Sequence, residues 1–272
     1  MCSHCGVTNF VEAPQPRQKS QCSGCGRPLS VPLHREGDAE EFSESGQPIY
    51  RHQSRASGFE LATGDSENIE AISNHIEQHV GKVDFVYHEI LSDLVHIDVH
   101  VVKPTEERPF HTLITSGMSD RPMTVPEGAE ELRFAELLVS LPPDWPLGEE
   151  DFQDEKNYWP IRTLKILARL PHEYDTWLGF GPTIPRGDPP EPFADNTQLC
   201  GSVILPPIQF PEEFHELVLS EDKTVHFYAV VPLYREELEF KLKHGVEKLL
   251  GRFGKHDIGP VLDVRRPNVC RR

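Results

Sequence analysis

At 272 residues, 37% of them hydrophobic, the chain can bury one large core, which excludes wholesale disorder. Its 25 prolines exclude a long-helix bundle and favour many short elements joined by turns. A net charge of -17 repels phosphate backbones, so it argues against nucleic acid as the main partner and suits a basic protein better. The N-terminus lacks the charged-then-apolar plan of an export signal, and no apolar run approaches the roughly 18 residues of a membrane helix. A cytoplasmic chain with no membrane partner is expected.

The first feature in chain order is a doubled C-x-x-C. Cys2 and Cys5 lie in "CSHCG" and Cys22 and Cys25 in "CSGCG", separated by sixteen residues. Zinc takes four soft ligands in a tetrahedron, and each pair supplies two thiolates from one tight turn. Gly6 and Gly26 follow the pairs, where a missing Cβ lets backbone amides turn toward sulfur. A redox C-x-x-C would need a βαβ setting, and disulfides would need an export signal; neither is present. The spacing therefore predicts a structural Zn2+ in a small zinc ribbon over residues 1–34, closed to water, with His4 a bystander. About 30 residues cannot hold a fold by burial alone, so the metal would do so. The ribbon is mildly basic. Residues 35–58, polar and nearly free of aliphatics, read as a flexible linker.

The main domain is expected over residues 59–272. "SENIEAISNHIEQHVG" predicts a helix with Ser66 as N-cap, Ile69, Ile72, Ile76 and Val80 on one face, and Gly81 ending it. "VDFVYHEI", "LVHIDVHVV", "FHTLIT" and "LRFAELLVSL" read as strands, the last two separated by a turn-rich stretch. "WPIRTLKILARL" predicts a helix with Pro160 at its first position. "GSVILPP" and "TVHFYAVVPLY" read as strands, "REELEFKLKHGVEKLLGRF" as one helix and "PVLDV" as a last strand. Clustered strands with irregular helices predict an α+β class with a mixed or antiparallel sheet flanked by helices.

Three constellations bear on catalysis. Ser116 and Ser119 in "TSGMSDRP" follow a strand, but the G-x-S-x-G elbow is missing and turn chemistry explains Gly117 and Asp120 equally well. His96, Asp98 and His100 alternate in "HIDVH" and share a face. They are a legitimate metal ligand set, yet same-face neighbours on a strand sit ~7 Å apart. The plainer reading is the polar face of a half-buried strand. "GFGPTIPRG" follows a helix rather than opening one, so it is a loop and not a phosphate cradle. Cys200 reads as a small core residue and Cys270 as part of a mobile tail.

Six blocks in order, "FHTLITSGMSDRPM", "ELRFAELLVSLPPDW", "YWPIRTLKILARLPHEYDTWLGFGPTIP", "LCGSVILPP", "VHFYAVVPLYREELEFKL" and "DIGPVLDVRRPNV", resemble the Suppressor of Fused domain family in its bacterial form. The resemblance covers roughly residues 60–270 and leaves the ribbon outside. It implies a single α+β domain that is not an enzyme. Eukaryotic relatives grip a short peptide in a cleft, and bacterial relatives look like immunity proteins of toxin systems. It also implies that the segment around "LARLPHEYDTWLGFGP" is a binding surface, with Leu170, Leu178 and Pro182 where the eukaryotic form keeps aromatic and acidic determinants. Tyr174, Trp177 and Phe180 give this segment aromatic weight, as interface hot spots have, although a core role for them is an equal alternative. Ser116, Ser119 and Asp120 would shape a turn at the edge of that surface. The expected function is binding and neutralising a protein partner, possibly a basic toxin. The alternatives are a regulatory adaptor that sequesters a peptide of a transcription factor, its ribbon contacting nucleic acid or protein, and, less favoured, a metal-dependent enzyme on His96, Asp98 and His100.

Overall fold

A computed structural model describes residues 41–52 and 58–271. The four ribbon cysteines, Cys2, Cys5, Cys22 and Cys25, and much of the expected linker lie outside the described residues. The chain runs β1 (Glu41–Phe42), β2 (Pro48–Ile49), β3 (Leu61–Ala62), α1 (Ser66–His79), β4 (Val83–Tyr87), β5 (Ser92–Asp93), β6 (Asp98–Val102), β7 (His111–Ser116) and β8 (Phe134–Leu141). It continues through α2 (Glu155–Glu173), β9 (Thr183–Pro185), β10 (Gly201–Leu205), β11 (Glu216–Ser220), β12 (Lys223–Leu233), α3 (Arg235–His244) and α4 (Val246–Lys255).

The main sheet has the order β4-β6-β7-β8-β12-β10-β9. All these neighbours are antiparallel except β8 and β12, a parallel pair in which Phe134 meets Val225 and Leu138 meets Ala229. The sheet is therefore mixed, as expected. β12 is long enough to serve two partners on its other edge: β11 along Lys223–His226 and β10 along Ala229–Leu233.

Helices cover both faces. α2 lays Trp159, Ile161, Leu164, Leu167 and Ala168 against Val99, Val101, Leu113, Leu137 and Val139. α1 buries Ile72 and Ile76 against Val102, Ile114, Leu138 and Phe227 on the opposite face. Each such aliphatic stabilises the fold by about 1.5–3 kcal/mol. Cover on both sides leaves β6 buried throughout, with Asp98 2% and His100 1% exposed. That corrects the half-buried reading of "HIDVH" for Asp98 and His100, which are interior groups, while His96 is half-buried.

Other local expectations shift for physical reasons. Asp65, not Ser66, caps α1, its carboxylate accepting from the N–H groups of Glu67 and Asn68 at 3.0 and 3.3 Å. Asp154 caps α2 through Lys156 N–H, so that helix starts five residues before Pro160. Pro160 then sits in the interior and has no N–H for the Lys156 carbonyl. The Asn196 side chain donates to that carbonyl at 3.3 Å instead. The long C-terminal helix is two, broken at Gly245 with φ of 86°. "PVLDV" contributes only a bridge between Val261 and Ser140. Residues 41–52 of the expected linker are placed as well. They form the β1–β2 hairpin, and Ser45 N–H bonds the Leu242 carbonyl at 3.0 Å.

The C-terminal segment is clamped by Arg266, whose guanidinium meets both oxygens of buried Glu237 at 2.7 and 2.5 Å and lies over the Tyr234 and Phe253 rings. Glu237 also accepts from the N–H groups of Tyr234 and Val269. Breaking a buried pair strands the surviving charge. Arg266→Ala is expected to cost about 3–5 kcal/mol in urea unfolding.

Candidate functional site

The turn after β7 is built around a residue that the sequence reading passed over. Glu136, on β8, is wholly buried. Its Oε1 accepts from Gly117 N–H (3.0 Å), Ser119 N–H (3.0 Å) and Ser119 Oγ (2.7 Å), and its Oε2 lies 2.6 Å from Thr115 Oγ1. Burial pushes its pKa up to about 7, against the lowering effect of the Thr115 and Ser119 bonds. The geometry accommodates the neutral acid. A proton on Oε2 can donate to Thr115 Oγ1, whose own hydrogen can turn to the Leu137 carbonyl at 3.3 Å. Gly117 is required: its φ is 101°, and a Cβ would lie 1.8 Å from the His96 carbonyl oxygen.

This turn fixes its neighbours. Asp120 accepts from Asp65 N–H at 3.0 Å and from Asn68 Nδ2 at 2.5 Å, tying the start of α1 to the turn. Ser116 Oγ is 2.9 Å from His100 Nε2. Ser116 and Ser119 are both 0% exposed, so they shape the turn from beneath and present nothing to a partner.

His96 and Asp98 do meet, at 3.0 Å through Nε2, but Asp98's other oxygen goes to His88 Nδ1 at 2.8 Å while His100 turns to Ser116. Burial, opposed by Asp98, holds His100 near pKa 4, a neutral imidazole at pH 7. Ser92 Oγ lies 2.8 Å from His96 Nδ1, which makes a Ser-His-Asp chain. Ser92 is 1% exposed, however, and donates to Glu89 at 2.7 Å, so its proton is already committed. Glu89 is also held by Arg169, by Lys165 at 3.6 Å and by Ile97 N–H at 3.1 Å. Burial raises the Glu89 pKa, but bonds from Arg169 and Ser92 outweigh it and leave the carboxyl below its usual range. Among the described residues no group of three or more His, Cys, Asp or Glu is arranged to hold a metal. The network instead pins the loop between β4 and β6, whose tip exposes Ile90 and Leu91.

The two segments singled out in sequence lie side by side. His172 Nε2 is 2.9 Å from the Met118 carbonyl, Thr124 N–H bonds the Thr176 carbonyl at 3.1 Å, and Leu178 N–H meets Met123 Sδ at 3.4 Å. Along their junction opens a cleft of about 260 Å³, with Thr124, Pro126, Tyr174, Asp175 and Trp177 on one side. Tyr50, Arg51 and His52, from the stretch read as linker, complete it. His52 stacks on Tyr174 with ring centroids 5.1 Å apart, and Arg51 is drawn to Glu41 (2.9 Å) and Asp188 (3.2 Å). Of the aromatic candidates, Tyr174 and Trp177 line this cleft. Leu178 belongs to the core, Leu170 and also Trp177 pack against it, and Phe180 is half-buried outside the lining.

The family model described as Suppressor of fused protein (SUFU) matches residues 93–267. The chain belongs to the Suppressor of fused family. Among solved structures, a Suppressor of fused homologue from Neisseria gonorrhoeae FA 1090 superposes with a TM-score of 0.56 at 18% identity, over 76% of this chain and 100% of that one. The Sufu–Fu complex gives 0.53 at 18% identity, over 74% of this chain and 92% of that one. Drosophila Suppressor of Fused gives 0.50 at 16% identity, over 76% of this chain and 54% of that one. At such identities the likeness is one of fold. No curated protein sequence matches the chain.

In this Suppressor of fused domain the buried acid has a pH signature. Glu136 titrates near 7 when folded against an ordinary value of 4.5, so the folded chain holds the proton more tightly. The resulting stability is fully present below about pH 4.5 and is lost as pH rises through 7. Urea unfolding of the wild type should weaken by on the order of 2–3 kcal/mol between about pH 5 and pH 8, relative to Glu136→Gln. The Gln amide can keep its oxygen on the Gly117 and Ser119 donors and its NH2 on Thr115, without titrating.

Proposed function

We propose that this chain is a non-enzymatic protein-binding domain that sequesters or neutralises a protein partner, as an immunity protein of a bacterial toxin system does. The observation that carries the reading is the cleft walled by Tyr174 and Trp177. It is open and carries aromatic side chains on the turn that ends α2, and aromatic residues are enriched in binding hot spots. Support comes also from the polar groups nearby, whose hydrogen-bonding capacity is spent within the fold: Ser92 on Glu89, Ser119 on Glu136 and Ser116 on His100. Suppressor of fused proteins are generally non-catalytic binding proteins, and one of them was solved in complex with Fu. The charge of -17 favours a basic partner. Cys2, Cys5, Cys22 and Cys25 hold a structural Zn2+ in this proposal, on the strength of their spacing and thiolate chemistry.

Two measurements test it. Affinity capture of the tagged chain from its native cells should yield one stoichiometric basic protein, released by moderate salt. Trp177→Ala should weaken that complex at least about tenfold when binding is measured well below the variant's thermal transition, which falls because Trp177 also packs against the core. Absence of any partner at low salt defeats the binding reading, and full retention by Trp177→Ala moves the site elsewhere. For the ribbon, metal analysis should find a single zinc per chain, lost in Cys22→Ser/Cys25→Ser while the main unfolding transition persists.

A further inference from the structure

The cleft beside Tyr174 has a chemistry that narrows what enters it. Its volume of about 260 Å³ lies below the roughly 300–1,000 Å³ of pockets that enclose whole small molecules, which suits a single side chain. Its surface is mostly polar, with three aromatic side chains, Tyr50, Tyr174 and Trp177, in the lining and the His52 ring stacked on one face of Tyr174. Ring faces carry negative potential and attract cations.

Its charges are unevenly spent. The Arg51 guanidinium is turned to Glu41 and Asp188, so the cation in the lining is neutralised by carboxylates of its own. Asp175 is exposed and, among the described residues, has neither hydrogen bond nor ion pair. Its backbone position makes that more pointed. Asp175 follows the C-cap of α2 with φ of 49°, and Thr176 N–H closes onto the Pro171 carbonyl at 3.0 Å, a helix-ending turn in which glycine is the least costly residue. A carboxylate held there, between two aromatic residues and unpaired among the described residues, can meet a ligand.

We infer that this cleft is a receptor for an arginine side chain of the partner, its guanidinium stacked on the Tyr174 and Trp177 rings and paired with the Asp175 carboxylate. A planar guanidinium can stack and hydrogen-bond at once, which an ammonium cannot. The acidic field of the whole chain raises the local concentration of such a group. The inference rests on the protein-binding reading above and gives its ligand a chemistry.

The test uses the full chain with 5-fluorotryptophan at its three tryptophans, Trp145, Trp159 and Trp177, assigned by single Trp→Phe variants. N-acetyl-arginine N-methylamide is titrated while fluorine resonances are followed. The Trp177 signal should move and saturate at around millimolar concentration, as a single side-chain contact warrants. The neutral isostere N-acetyl-citrulline N-methylamide should leave it in place. Asp175→Asn, which suits the left-handed backbone and removes only the charge, should weaken the response at least about fivefold. No movement of Trp177, an equal response to citrulline, or an unchanged response in Asp175→Asn each overturns the proposal. A lysine derivative that matches arginine overturns the guanidinium assignment. The two readings fail separately. A captured partner that needs Trp177 but is indifferent to Asp175→Asn sinks the arginine receptor and leaves protein binding standing. A saturable arginine response with no captured partner does the reverse.

Discussion

A single buried carboxylate sets the geometry on which this fold's surface depends. Glu136 sits on β8, in the parallel pair at the middle of the sheet, with no access to water. A carboxyl in that position costs several kcal/mol unless donors replace its solvent. The partners come from the end of β7 and the turn after it: the Gly117 and Ser119 amides and the Ser119 hydroxyl donate to one oxygen, and the Thr115 hydroxyl on β7 meets the other. The turn therefore cannot relax without exposing an unsatisfied acid. From that fixed turn Asp120 reaches Asn68 at the start of α1, Met118 offers its carbonyl to His172 at the end of α2, and Met123 meets Leu178. The ends of helices packed on opposite faces of the sheet are thus tied to one turn, and so is the wall of the cleft.

Much of this was legible in the sequence, and the failures share a cause. The Ile72 and Ile76 stripe of α1, the strands and the mixed sheet follow from local periodicity, and the ordered blocks indicated the family. Local patterns carry no information on what covers the far side of an element. "HIDVH" alternates like a strand with one polar face in water, yet helices on both faces make Asp98 and His100 interior and leave His96 half-buried. Pro160 resembles a helix start because the Asn196 side chain, which makes an interior proline tolerable, comes from far along the chain. Glu136 was readable in principle. It is the lone charge in "FAELLVSL", and a lone acid in an apolar strand needs a partner inside the protein. The aromatic weight of Tyr174 and Trp177 was visible, but the opposite wall, from Tyr50 to His52, could not be assigned because composition alone makes that stretch look like linker.

The polar interior bears on what the domain can do. Ser92, His96 and Asp98 are linked in the order of a hydrolase triad, and geometry alone could mislead. Nucleophilic catalysis needs a hydroxyl that gives its proton to the base when substrate arrives, in a place substrate can reach. Here Ser92 is buried, and its proton is drawn to Glu89, which Arg169 keeps ionised. The same bonds that disable the serine hold the loop carrying Ile90 and Leu91. The network reads as scaffolding, with its strength directed at holding a shape.

Among the described residues, two kinds of outward-facing group meet at the cleft, aromatic rings and an acid. The two act over different ranges. The excess negative charge works over about 8 Å in physiological salt, so it can steer a basic protein but cannot distinguish one from another. Discrimination has to come from contacts that exclude water and demand a shape. The cleft at Tyr174 and Trp177 supplies such a shape, on a wall whose register is set by Glu136 and the end of α2. In the proposed binding role, a domain arranged in this way would meet its partner through charge and retain it through the fit of a few side chains. Substitutions of exposed acids should then mainly alter the rate of encounter, and substitutions at the cleft the lifetime of the complex.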